Sequence, residues 1–275
     1  MPLVLQRLAS AKPKDLFKHA IEWMVMKKIH PGFDSNSQVY VITFRKLDDE
    51  VKGLANSKFS SSAWTGDFTR ALRARPDLMI IGISKIKKDI MDSHCEACNR
   101  KNHPASDELM FTGQPYDKET LEPLGNDSDS DSNIENSDSD SDNDSELSAD
   151  SEANLNGEKP TYDGHGIQIP PESKSFTLGS TCKANAQVAH TLNHWRYHLY
   201  SWVKDYLARA GYLTAEKLVK RDGWSDKKRE KAALKIVKEM EEVGEIRKLY
   251  HLYKDQVAYA VEVRHDQNRG WKGRG

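Results

Sequence analysis

Three cysteines and the histidines near them are the residues whose types and spacing best suit chemistry. Cys95 and Cys98 form a C-x2-C pair, a spacing that lets two thiolates of one turn face the same ion. His103 follows five residues after Cys98, and Cys182 stands beyond a long acidic segment. Zn2+ takes four soft or borderline donors in a tetrahedron. Cys95, Cys98, His103 and Cys182 supply such a Cys3His set. His94 ranks second as the fourth ligand, because a residue adjacent to Cys95 normally points elsewhere. His190 ranks third: it lies eight residues beyond Cys182, which on a helix is about 12 Å, too far to share an ion. Four protein ligands leave no position open for water, so the expected role of the ion is structural.

The short spacing C-x2-C-x4-H opens like a zinc knuckle, but Glu108 stands where the last cysteine of a self-contained knuckle would be. The site must therefore close through Cys182. Two readings compete with a metal: ordinary reduced cysteines in a core, and a redox pair of the thioredoxin kind, which would need a βαβ pattern that these flanks lack. His190, His194 and His198 recur at i, i+4 and i+8 and could line one helix face. No carboxylate joins them at matching spacing, and histidines beside Trp195 and Trp202 are read as packing or surface residues. The chain has no phosphate-cradling Gly-rich loop, no H-E-x-x-H and no G-x-S-x-G. An enzyme is not expected.

The elements that must position these residues follow from periodicity. Pro13 opens a helix over 13–30, with Leu16, Phe17, Ala20, Ile21 and Met24 at helical spacing and Pro31-Gly32 as its stop. Residues 37–55 read as a second helix and 61–74 as a third, with Trp64, Phe68 and Leu72 inward. The apolar run 78–86 fits a buried strand or a short helix equally well. Residues 108–117 read as a strand running into a turn. Pairing of 108–117 with 172–178 would bring the two halves of the metal site together. Order resumes near Phe176, and 180–210 reads as one long helix with an apolar stripe from Val188 to Tyr206, ended by Gly211. Helices over 214–220 and 225–243 follow. The stretch after Gly244 alternates well enough for two strands around Lys254-Asp255, which gives the order of a winged-helix module.

Charge divides the chain. The net charge is −1, yet residues 126–152 hold eleven of the 42 acidic residues and no Lys or Arg. The remainder carries +10, and residues 196–275 alone carry +7. The Ser/Asp-rich stretch 125–158 has too little apolar surface to offset its ordering entropy and is expected to be a disordered loop. Several of its serines precede an acid by three residues, as Ser128 precedes Asp131, which suits an acidophilic kinase. Lys227, Lys228, Arg229, Lys231, Lys235 and Lys238 cluster on the 225–243 helix, a candidate face for nucleic-acid phosphates. No stretch approaches the roughly 20 apolar residues of a membrane span, and no secretory signal is expected from the opening residues. Three cysteines are too few for a disulfide framework and point to a reducing compartment.

The segments "KPKDLFKHAIEWMV", "FTRALRARP", "CEACNRKNHPASDELMFTGQPYDKETLE" and "FTLGSTCKANAQVAHTLNHWRYHLY" together resemble the family called domain of unknown function 4211. That family occurs in fungal nuclear-type proteins and is related to the animal coiled-coil domain-containing protein 82. The resemblance spans about residues 14 to 210. It implies a eukaryotic, nuclear protein that matches one end of longer relatives, and it brings no catalytic residues.

The expected fold is α+β, mostly α: a helical N-terminal part, a small zinc-stapled β element, a long helix and a winged-helix-like C-terminal part. The expected organisation is a helical region with the first half-site (13–124), the acidic loop (125–158), the second half-site and long helix (159–210), a basic helix-helix-hairpin module (211–265) and a flexible tail (266–275). The expected function is a nuclear, non-enzymatic module holding structural Zn2+, with DNA or chromatin as partner. The alternative is an interaction scaffold whose acidic loop engages histones or other basic proteins. Neither a membrane nor a small-molecule substrate is expected.

Overall fold

Pro13 stands at the start of helix α1 (Pro13–Ile29), where its missing N–H costs nothing. The computed structural model describes residues 6, 8, 10–55, 59–84, 86, 94–125 and 158–269, and for 101–103 and 261–269 the backbone alone. Within these, the chain divides into two compact units, one of residues 1–61 and 184–275, the other of residues 62–183. The expected acidic loop falls outside the described residues apart from its ends.

The first unit is all helix. Its members are α1, α2 (Gln38–Leu54), α4 (Ser180–Asn193, whose first residues belong to the other unit), α5 (Trp195–Arg209), α6 (Ala215–Asp222), α7 (Asp226–Glu242) and α8 (Glu245–Arg269). Helix α1 is buried nearly all round, by Leu16, Phe17, Ala20, Ile21, Trp23, Met24 and Val25, the pattern of a central helix. It packs against α2, α5, α7 and α8. The β-branched residues Val39, Ile42 and Thr43 of α2 do not prevent a helix, because Tyr40, Phe44, Leu47 and Val51 recur on its buried side. Asp48 of α2 accepts the Trp195 indole N–H at 3.0 Å and the Arg196 guanidinium at 2.7 Å.

Two expectations for this unit need correction. The long helix over 180–210 is interrupted at His194, a turn residue between α4 and α5, although the i to i−4 bonds His194 to His190 and His198 to His194 continue at 3.0 Å. The hairpin and its wing do not exist: Glu245–Arg269 is one helix. Its inward residues Leu249, Tyr253, Val257 and Ala260 recur at helical spacing, and Lys254-Asp255 lie inside it rather than at a turn between strands; Gly244, at φ +79°, ends α7. Residues 266–269 of the expected tail belong to this helix, and 270–275 lie outside the described residues.

The second unit carries all the strands. Helix α3 (Gly66–Ala74) starts later than expected, after Trp64. The undecided run is a strand, β1 (Asp77–Gly82), antiparallel to β4 (Asp107–Thr112), which in turn pairs with β7 (Ser175–Leu178). Leu109, Phe111, Phe176 and Leu178 are buried on this sheet, with the Phe68 ring 5.5 Å from Phe111 and 5.3 Å from Phe176. Short ladders join β2 (His94–Cys95) to β3 (Arg100–Pro104) and β5 (Thr161–Tyr162) to β6 (Gln168–Ile169). Order thus resumes before Phe176. Among the described residues no helix is long and apolar enough to cross a membrane.

Candidate metal centre

The β4–β7 pairing closes the acidic segment at its base. Leu109 stands opposite Phe176, and Asp107 opposite Leu178. Strand β2 is drawn onto the same strand: Glu96 N–H donates to the Thr177 carbonyl at 2.8 Å, and the Thr177 hydroxyl donates to the His94 carbonyl at 3.0 Å. The Glu96 carboxylate accepts the Thr177 N–H at 2.6 Å. Residues 95–99 form a tight turn in which Asn99 N–H donates to the Cys95 carbonyl at 2.7 Å and Asn99 takes φ 51°, a conformation asparagine tolerates. Past β7 the chain turns at Gly179, where a Cβ would meet the Pro104 carbonyl oxygen at 3.3 Å. Helix α4 then begins at Ser180 and places Cys182 in its first turn, where the helix dipole favours a thiolate.

This framework brings the sulfurs of Cys95, Cys98 and Cys182 within 4.8 Å of one another, and the three residues could hold a metal ion. Cys95 is buried, and Cys98 and Cys182 are half-buried. A hydrogen bond from the Cys182 thiol, opposed by burial, and further bonds from the backbone N–H groups of Gly179 and Cys98 pull the Cys95 thiol down to about 4. The same hydrogen bond to Cys95, with burial, pushes the Cys182 thiol up, while the Trp64 indole pulls it back. The hydrogen bond between Cys182 and Cys95 thus favours one thiolate shared by the pair, the form an incoming cation needs.

The expected fourth ligands fare differently. His103 lies on β3, and its side chain is outside the described residues. His94 is exposed, and no His, Asp or Glu among the described residues joins the three sulfurs within 4.8 Å. His190 is buried in the helical unit, its ring 4.4 Å from that of His194.

The candidate nucleic-acid residues all lie on α7. Lys227, Lys228, Lys231, Lys235 and Lys238 are exposed. Lys228 stands 4.6 Å over the Trp224 ring, and Lys235 and Lys238 lie 3.7 and 3.6 Å from Glu239 and Glu242. Arg229 is half-buried and donates to the carbonyls of Arg221 at 3.1 Å and Asp222 at 2.9 Å, so it caps α6 instead of facing outward.

Sequence reasoning passed over two residues that shape the second unit. Arg75 is buried, and its guanidinium donates to the Gly113 carbonyl, the Thr161 hydroxyl and the Pro170 carbonyl at 3.0, 3.0 and 3.2 Å. The helical spacing reads Trp64 as core, and it is buried, but its indole also lies near Cys182.

Residues 1–121 match the family model described as Domain of unknown function (DUF4211). That part of the chain is thus similar to the DUF4211 family. The matched DUF4211 span contains Cys95 and Cys98 and stops before Cys182. An uncharacterized protein of Schizosaccharomyces pombe is 20% identical over 182 residues, which cover 66% of this chain and 22% of that protein. The chain thus spans about a fifth of the length of the curated relative it matches. No solved structure matches it.

Proposed function

We propose that this chain is a nuclear, non-enzymatic module, held together by a structural Zn2+ and associating with DNA or chromatin through the exposed lysines of α7. The observation that carries the reading is the meeting of three sulfurs within 4.8 Å, two from one turn and one from beyond the acidic segment. Thiolates are soft ligands that select zinc over the hard divalent cations, and a site assembled only in the folded chain couples metal binding to folding. Metal analysis of the purified chain tests it. About one zinc per chain is expected, and Cys182→Ser should lose it. Wild-type protein without zinc would overturn the reading.

The lysines of α7 support the second half of the proposal by charge and exposure. Lys227 and Lys231 are exposed on the N-terminal half of the helix, whose opposite side is buried by Ala233, Ile236, Val237 and Met240. Phosphate contacts by such lysines give affinity without sequence choice and a strong salt dependence. Duplex DNA binding by the full chain should weaken steeply with salt, and Lys227→Glu with Lys231→Glu should weaken it at every salt concentration. Binding that ignores salt would sink this half. The acidic stretch 126–152 favours a second reading, recruitment of a basic partner such as a histone. Its deletion discriminates: tighter DNA binding fits a self-screened basic face, and loss of histone binding fits recruitment.

A further inference from the structure

The indole N–H of Trp64 is the unexplained donor beside the cysteines. Trp64 is 8% exposed, and its Nε1 is buried with no hydrogen-bond partner among the described residues. An indole N–H can only donate, and leaving a buried donor unpaired costs about 1–3 kcal/mol. Folded proteins rarely leave such a group without a reason.

Its surroundings fix where it stands. Thr65 N–H donates to the Ala97 carbonyl at 2.7 Å, and the Thr65 hydroxyl donates to the Glu96 carbonyl at 3.4 Å. The residue after Trp64 is thereby tied to the two residues between Cys95 and Cys98. On the other side the Phe68 ring meets the indole edge-on, with centroids 5.1 Å apart. The indole is near enough to Cys182 to favour its thiolate, and its N–H meets no acceptor at hydrogen-bond geometry among the described residues.

We infer that Trp64 is the outer hydrogen-bond donor to the metal centre, its indole N–H closing onto the Cys182 sulfur when an ion replaces the thiol proton. The inference rests on the metal reading above and deepens it. A neutral thiol sulfur is a weak acceptor, and a metal-bound thiolate is a much better one. The donors then divide by sulfur: backbone N–H groups of Gly179 and Cys98 serve Cys95, and the indole serves Cys182. Such outer partners orient a ligand and typically govern metal affinity by 10- to 100-fold, in round terms about one to two orders of magnitude. Trp64 is a positioning residue in this scheme, and it holds the cysteine that arrives from beyond the acidic segment.

The test begins with the unmutated full chain, freed of metal, labelled with 15N and titrated with Zn2+. The indole resonance of Trp64, assigned through its own side-chain connectivities, should move downfield as the ion binds. Trp64→Phe keeps the ring and removes the donor. In chelator competition it should bind Zn2+ about ten- to a hundredfold more weakly. With Co2+ in place of Zn2+, its thiolate-to-metal charge-transfer band should shift. A chain that takes up Zn2+ while the indole resonance stays still, or a folded Trp64→Phe with unchanged affinity and band, overturns the inference and leaves the metal reading standing. A wild-type chain that binds neither ion overturns both.

Discussion

At the scale of single residues, Arg75 and Glu22 show how buried charge is made tolerable in each unit. Arg75 is 3% exposed, and desolvation lowers its pKa while Glu172 opposes the drop. Its three bonds reach Gly113 on the near side of the acidic segment and Thr161 and Pro170 on the far side. One guanidinium therefore ties the two ends of that segment together, apart from any metal. Arg75→Met should cost about 1–3 kcal/mol in urea unfolding of the second unit, because two half-buried carbonyls lose their donor. A loss of a few tenths would show that water replaces the guanidinium. Glu22 in α1 lies 3.7 Å from His19 and accepts the Tyr40 hydroxyl at 2.8 Å. The His19 bond chiefly lowers its pKa, burial resists, and the Tyr40 bond adds to the lowering. A depressed carboxylate pKa means stability that is present above the unfolded value of about 4.3 and is lost as pH falls below it. Glu22→Gln should therefore be less stable than wild type at pH 7, and the gap should close as the pH drops below that value. A gap of constant size in acid would show that the charge of Glu22 contributes nothing.

At the scale of elements, α8 is where the alternation of residue types and the structure part company. Tyr250, Tyr253, Val257, Tyr259 and Val261 are aromatic or β-branched and favour strands, but burial at Leu249, Tyr253, Val257 and Ala260 has the helical period. The Tyr253 hydroxyl, its pKa pushed up by burial and then by Glu50, donates to Glu50 at 3.0 Å, and Lys254 pairs with the same carboxylate at 3.0 Å. Proline at Asp255 separates helix from hairpin. In the interior of α8 it removes a backbone bond and should cost about 3 kcal/mol, whereas at a turn it would be nearly neutral. Circular dichroism with thermal unfolding reads the difference. The same comparison shows what a sequence can reveal. Helices α1, α2, α6 and α7 are legible because apolar stripes and stops agree. The cysteine cluster is legible because C-x2-C is a local pattern and strands β4 and β7 bracket the acidic segment with apolar residues. Trp64 and Arg75 are not legible in their roles. A tryptophan before a helix reads as core, and an arginine before Pro76 reads as a surface stop, until tertiary structure places a thiol and three acceptors beside them.

At the scale of the whole molecule, two compact units divide the labour. The helical unit has an apolar interior centred on α1, and none of the three clustered cysteines belongs to it. Among its described residues the unit of residues 62–183 has one nine-residue helix, a three-stranded sheet and two-stranded ladders, a small core. Small cores of this kind commonly need a metal or a disulfide to hold them. With the proposed zinc bound, the free energy of coordination becomes folding free energy for that unit. Chelation should therefore act unevenly. In hydrogen exchange, amides of β2, β3 and β7 and the first turn of α4 should lose protection when the ion is stripped, while amides of α1, α2 and α7 keep theirs. Acid should mimic the chelator, because protons compete with the ion for the thiolates. Equal loss of protection in both units would mean that the ion governs the fold throughout. No loss in either would reduce the three thiols to ordinary core cysteines and remove the metal from the account of how this chain holds its acidic segment at the base of a sheet.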